Sequence, residues 1–250
     1  MIVARGLTRR FGTLIAINNL NLCVKSGEIY GFLGPNGAGK TTTIKMLTGV
    51  MEPNSGEIEI AGLKMRESGM EIKRLIAVVP DEPKMYDNLK GIEFAMFIID
   101  IYRLPKRETL RRLYEIAEIF DIDYLGKYIS DYSHGMKQKL MVSIALMRNP
   151  SVIFLDEPTV GLDAASARKL KLMLREMANG GASIFFTTHV LEVAEKMCDR
   201  IGIIDNGKLI AEGTLNELRS QSGKMEYSLE ELFLDMTEKG ENLYSNESGE

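Results

Sequence analysis

The chain has 250 residues, 45% hydrophobic and 26% charged, with a formal net charge of −4. That length suits one large domain or two small ones at roughly 150 residues each, and the globular composition excludes wholesale disorder. Cys23 and Cys198 are too few and too far apart for a disulfide framework or a cysteine-built zinc site. The longest apolar run, Phe94 to Tyr102, has nine residues and includes Asp100, against about 20 for a bilayer-spanning helix. No charged and then apolar leader opens the chain, so a soluble, cytoplasmic protein is expected. Charge is uneven, +5 over residues 1–50 and −6 over residues 221–250. Without a basic stripe, nucleic acid is not an expected partner.

In chain order, Leu14 to Val24 reads as a strand, Ser26-Gly27 as a turn and Glu28 to Leu33 as a short buried strand. A glycine-rich loop, Gly34 to Gly39, leads into a helical stretch from Lys40 to Leu47. Pro53 to Gly56 is a turn, Glu57 to Ile60 alternates like a half-buried strand, and Leu75 to Val79 is a buried strand stopped by Pro80. Between about 88 and 148 the texture becomes helical. Leu110, Leu113, Ile116, Ala117 and Phe120 keep amphipathic spacing, and Met136 to Met147 forms a second such run. Strand patterns return at Val152 to Leu155, Ser183 to Thr187 and Arg200 to Ile204. Strands alternating with helices predict an α/β fold with a parallel sheet. Ser228 and Glu231 form a capping box for a short C-terminal helix, and an acidic, frayed tail is expected after Thr237.

Gly34-Pro35-Asn36-Gly37-Ala38-Gly39-Lys40-Thr41 matches the phosphate-binding loop G-x-x-x-x-G-K-[ST] at every fixed position. Glycines let successive amides turn inward around phosphates, and a helix N-terminus behind them favours negative charge. Lys40 would reach the β- and γ-phosphates and the Thr41 hydroxyl would ligate Mg²⁺; Thr42 completes the contact set. Thr42 also stands where the dinucleotide pattern G-x-G-x-x-G would need glycine. Val152 to Glu157 is an apolar strand ending in two acids, where open α/β sheets bind ligands. Asp156 would hold Mg²⁺, and Glu157 would orient or deprotonate the attacking water.

Together with Asp156-Glu157-Pro158-Thr159, Gly161-Leu162-Asp163 and Thr187-Thr188-His189, the phosphate loop resembles the nucleotide-binding subunit of ABC transporters over about residues 1–220. The resemblance implies a P-loop core, a small antiparallel N-terminal sheet and a helical lobe at about 88–148. It implies that Phe11 stacks on adenine and that His189 contacts the γ-phosphate. Ser133 and Gly135, in Tyr132-Ser133-His134-Gly135-Met136, stand in the family's signature, which serves the opposite subunit's ATP. Asp163 matches the loop crossing that dimer interface. Asp81-Glu82 stands where the family usually has a Mg²⁺-touching Gln; a carboxylate can ligate the ion but cannot donate as an amide does.

The resemblance further implies ATP hydrolysis at the cytoplasmic face of the membrane, driving export through separate permease subunits. Ser-x-Gly-Met-Lys-Gln is similar to ATPases paired with exporter-type permeases. The alternative is a soluble ATPase of a non-transport system such as Fe–S assembly. Met85, Tyr86, Leu89, Phe94, Met96 and Phe97 crowd after Asp81, and some are expected to line a groove for a permease helix.

Overall fold

A computed structural model describes residues 1–245, with side-chain environments through Thr237. Ile2–Phe11 (β1) and Leu14–Val24 (β2) pair as a hairpin, Phe11 opposite Leu14. Ile29–Leu33 (β3) runs into the glycine-rich loop and Lys40–Leu47 (α1). Ser55–Ile60 (β4), Leu63–Lys64 (β5), Met65–Leu75 (α2) and Ile76–Val79 (β6) follow. The helical lobe comprises Gly91–Tyr102 (α3), Lys106–Ile119 (α4) and His134–Met147 (α5). Val152–Asp156 (β7), Ala164–Asn179 (α6), Ser183–Thr187 (β8), Leu191–Met197 (α7) and Arg200–Asp205 (β9) rebuild the alternation. Lys208–Gly213 (β10), Leu215–Ser222 (α8) and Leu229–Ser245 (α9) close the described chain.

Two sheets result. The order β2-β1-β4-β5 is wholly antiparallel. The other, β10-β9-β3-β8-β7-β6, is parallel except for the antiparallel edge strand β10. In β3, β7 and β8 every residue is buried, which is why these strands read as continuous apolar runs rather than alternating ones. On one face, Tyr30, Phe32, Phe154 and Phe185 pack with α1 and the antiparallel sheet. On the other, Leu33, Leu155 and Phe186 join the helices, including the lobe.

The C-terminal helix differs from its expected form. Ser228 and Glu231 make the capping box, the Glu231 amide donating to Ser228 Oγ at 3.3 Å and the Ser228 amide to Glu231 Oε2 at 2.8 Å. The helix then continues through Ser245 instead of unravelling after Thr237. Leu229 and Leu232 are buried, with Phe233 and Met236 against the same core, so nucleation is secured and each further turn is cheap to add. Residues 246–250, part of the tail expected to fray, lie outside the described residues.

Candidate functional site

The phosphate loop is shaped by what lies beneath it. Gly39 caps α1 at φ 109°, and a Cβ there would come 2.5 Å from Ile17 Cδ1 and 2.8 Å from the Ala16 carbonyl oxygen. Only glycine lets the loop press against β2 so closely. Ala38 is buried under the turn and its carbonyl accepts from the Gly207 amide at 3.0 Å, while Asn36 and Gly37 face the cavity above. Lys40 is folded back, its Nζ donating to the carbonyls of Gly34 at 2.6 Å and Pro35 at 3.1 Å. Burial lowers its pKa, opposed by the carboxylates of Glu157 and Asp156.

β7 delivers the acids at its end, and β8 supplies the threonine that holds them. Asp156 is buried and accepts from Thr187 Oγ1 at 2.5 Å and from Thr41 Oγ1 at 3.0 Å. Glu157 follows at φ 49°, a left-handed conformation that costs a side-chain-bearing residue about 1–2 kcal/mol. Its amide donates to the carbonyl and hydroxyl oxygens of Thr187, both at 3.2 Å. The bent backbone turns its carboxylate toward His189, whose amide donates to Glu157 Oε2 at 3.2 Å and whose Nδ1 lies 2.9 Å from the same oxygen. Asp81, past the end of β6, has its pKa raised by burial first and then by Asp156, Glu157 and Glu82, with His134 opposing.

These groups surround a cavity of about 350 Å³ lined by Phe11, Asn36, Gly37, Gly39, Lys40, Thr41, Thr42, Asp81, Asp156 and Glu157. Leu14 and Ala16 complete the wall around Phe11. Neither was anticipated; the pairing of Leu14 with Phe11 across a two-residue turn is the signal that could have found it. Thr187, the partner of Asp156, likewise lay inside a recognised motif without a role of its own. Behind Phe11, the Arg9 guanidinium lies 4.8 Å from the ring centroid and donates to the Glu52 carbonyl at 2.9 Å.

Other expected site residues stand apart from the cavity lining. Ser133 caps α5, its hydroxyl accepting from the Met136 amide at 3.3 Å, so the helix begins at His134. Asp163 caps α6, accepting from the Ser166 amide and hydroxyl at 2.8 Å each, and pairs with Lys139 at 3.1 Å. Those contacts, the Ser166 amide foremost, hold its carboxyl well below the usual range. Of the expected groove residues, Phe94 is buried and Met85 and Leu89 pack on the core, while Tyr86 and Phe97 are exposed and meet edge-to-face at 5.6 Å. An apolar groove that includes Phe94 lies beside them. Phe94, Ile98 and Tyr102 of α3 face Met141 and Ile144 of α5 across about 320 Å³.

The donor set suits a hard divalent cation. The hydroxyl of Thr41 and the carboxylate of Asp156 converge, and Asp81 and Glu157 line the same cavity, where burial first and then the neighbouring carboxylates raise the Asp81 carboxyl. With only two or three protein oxygens, such an ion would take its remaining ligands from water and phosphate, the habit of Mg²⁺.

The family model described as ABC transporter matches residues 17–160. The chain is 35% identical over 251 residues to the probable multidrug ABC transporter ATP-binding protein YbhF of Escherichia coli (strain K12), covering 99% of this chain and 43% of YbhF. It thus spans less than half the length of that relative. Among solved structures, an ATP-binding subunit of an ABC transporter superposes with a TM-score of 0.91 at 33% identity, covering 95% of this chain and 99% of that one. The cassette MJ0796, a dimer in a post-hydrolysis state bound to ADP and Pi, superposes with a TM-score of 0.77 at 25% identity, covering 86% and 99%. A matched family model over more than half the chain and a superposition over nearly all of it agree: the chain belongs to the ABC transporter family.

Proposed function

We propose that the chain binds ATP with Mg²⁺ in the phosphate-loop cavity and hydrolyses it as half of an ATP-sandwich dimer, powering export through separate membrane permease subunits. The convergence of Thr41, Asp156 and Glu157 at the mouth of the phosphate loop carries the reading. YbhF, described as a probable multidrug ABC transporter ATP-binding protein, supports export, and the MJ0796 dimer supports the sandwich. Residues 1–220 form the ATPase domain, with residues 221–250 as an appended helix and tail. The protein works at the cytoplasmic face of the membrane, and nucleic acid is not a partner.

Phe11 stacks on adenine, and the amides from Gly34 to Thr42 wrap the phosphates. Lys40 exchanges the carbonyls of Gly34 and Pro35 for phosphate oxygens, a favourable trade for a cation partly stripped of water. Thr41, Asp156 and Asp81 would hold Mg²⁺, which would supply neutralisation of phosphate charge. Glu157 takes a proton from water as that oxygen bonds the γ-phosphorus and the bond to the β-γ bridging oxygen breaks, releasing ADP. His189 keeps the Glu157 carboxylate aimed and can face the γ-phosphate. Ser133, Gly135 and Asp163, away from the chain's own cavity lining, serve the partner subunit's ATP. The groove between α3 and α5 receives a helical segment of the permease.

The test is phosphate release by the purified chain. Wild type should turn over ATP, and Lys40→Ala should lose at least about tenfold in nucleotide affinity and most turnover. Equal rates in the two proteins would overturn the assignment of the cavity.

A further inference from the structure

Arg148 follows α5 as its C-cap and projects into the groove between α3 and α5. Its guanidinium carbon sits 3.5 Å from the Tyr102 ring centroid, and Nη2 donates to the carbonyls of Lys73 at 3.1 Å and Arg74 at 3.4 Å. Nε is buried and has no acceptor. Among the described residues no carboxylate forms an ion pair with Arg148 or with Lys73, the second cation on the groove. The groove lining contains no acid at all; besides these two cations it is Thr48, Val50 and apolar or aromatic side chains.

That arrangement is costly as it stands. A charged group out of water is normally paired, and an orphaned buried donor is destabilising. Burial lowers the pKa of Arg148, opposed only by Tyr102. The carbonyls at the end of α2 give partial relief, because a helix C-terminus is electronegative. They leave Nε unsatisfied and Lys73 untouched. Tyr102 stacks on the guanidinium and fixes its plane, which prepares it for a planar, bidentate acceptor.

We propose that the permease segment seated in this groove carries an Asp or Glu that pairs with Arg148, so that the cognate permease is chosen by charge as well as by apolar fit. This rests on the reading of the groove as the permease-docking site. The segment lays an apolar face on Phe94, Ile98 and Met141 and brings its carboxylate to the Arg148 end, with Lys73 adding longer-range attraction. Desolvated charge pairs of this kind discriminate partners strongly, because a neutral or basic substitute leaves the guanidinium buried and unpaired.

The test uses the full chain in cells that make its membrane subunits, with a benzophenone photocrosslinker at Val50, an exposed residue of the groove, or at Ile98. Crosslinked peptides are sequenced by mass spectrometry, and membrane association is measured for Arg148→Glu, Arg148→Lys and Lys73→Glu. The expected result is a membrane-protein peptide with an acid within one helical turn of the crosslink. Association should fall at least about tenfold in Arg148→Glu, less in Arg148→Lys, and return when the partner's acid is changed to Arg. Crosslinks to a peptide without an acid, or full association of Arg148→Glu, would overturn the charge pairing and leave the docking site standing. No membrane-protein crosslink from either position, or crosslinks to a second copy of this chain, would remove the docking reading itself. Thermal unfolding of each variant separates lost docking from lost fold; should Arg148→Glu unfold, the exposed Lys73→Glu carries the test, and unchanged association there would sink the pairing.

Discussion

The imidazole of His134 lies over Gly161, so closely that a Cβ at 161 would stand 2.4 Å from His134 Cδ2. Gly161 adopts φ +79° in the turn before Asp163, and His134 opens α5. The ring, though exposed, thus packs one edge on the chain's own turn. Lys139 and Asp163 tie the same two segments at 3.1 Å. Gly161→Ala should therefore cost about 1–2 kcal/mol for backbone strain and about 1–3 kcal/mol for overpacking. In a His134→Gly background only the strain should remain, giving a coupling of about 1 kcal/mol or more in a urea-unfolding double-mutant cycle. Additive costs would mean that the ring swings aside freely.

Glu157 is held by His189 and bent by its own backbone, which fixes the carboxylate proposed to deprotonate the attacking water. Glu157→Gln keeps the shape while removing the base, so turnover should fall at least about 10²-fold. ATP binding should persist, and a dimer should accumulate in size-exclusion runs with ATP. Wild-type turnover in the variant would refute the role.

Around Phe11 the cavity wall is Leu14 and Ala16, neither carrying a polar side-chain atom to read a base edge. An apolar wall discriminates by at most about 10²-fold, whereas one built to hydrogen-bond a base can reach 10⁴–10⁵. GTP should therefore be hydrolysed within about 10²-fold of ATP in kcat/KM. Phe11→Ala should raise KM for both nucleotides and leave tripolyphosphate binding unchanged. Exclusion of GTP by more than that factor would place a base-reading group that the wall does not show.

The phosphate loop, Asp156 and Glu157 were legible because each occupies a fixed spacing at a strand end, and the buried strands β3, β7 and β8 because continuous apolar runs announce them. β10 escaped notice since its Lys208–Gly213 segment is short and half-buried. The Asn206-Gly207 turn before it, with φ of 45° and 74°, carried the hairpin signal. α2 was missed because Gly69 and a non-helical Ser68 interrupt it. The groove between α3 and α5 could not be traced in the sequence, because an almost wholly apolar helix such as α3 gives no periodicity to say which face is covered. His134 on Gly161 and Arg148 on Tyr102 depend on contacts between segments far apart in sequence, which no local pattern encodes.

Asp81 offers a test by pH. Its carboxyl is raised by burial and by the converging carboxylates of Asp156, Glu157 and Glu82. An acid with a higher pKa folded than unfolded holds more protons in the native state across that interval. Native stability therefore rises as pH falls through the interval and is lost as pH climbs above the folded value. Without nucleotide or metal, Asp81→Asn should remove this penalty. The melting temperature of the variant should exceed that of wild type at pH 7, and the gap should narrow as pH drops toward 4. Titrating Mg²⁺ into wild type at pH 7 should also narrow the gap, since a bound cation offsets the same repulsion. A gap that stays constant across pH would show that the Asp81 charge is already dissipated into solvent, and that whatever the substitution does arises from packing.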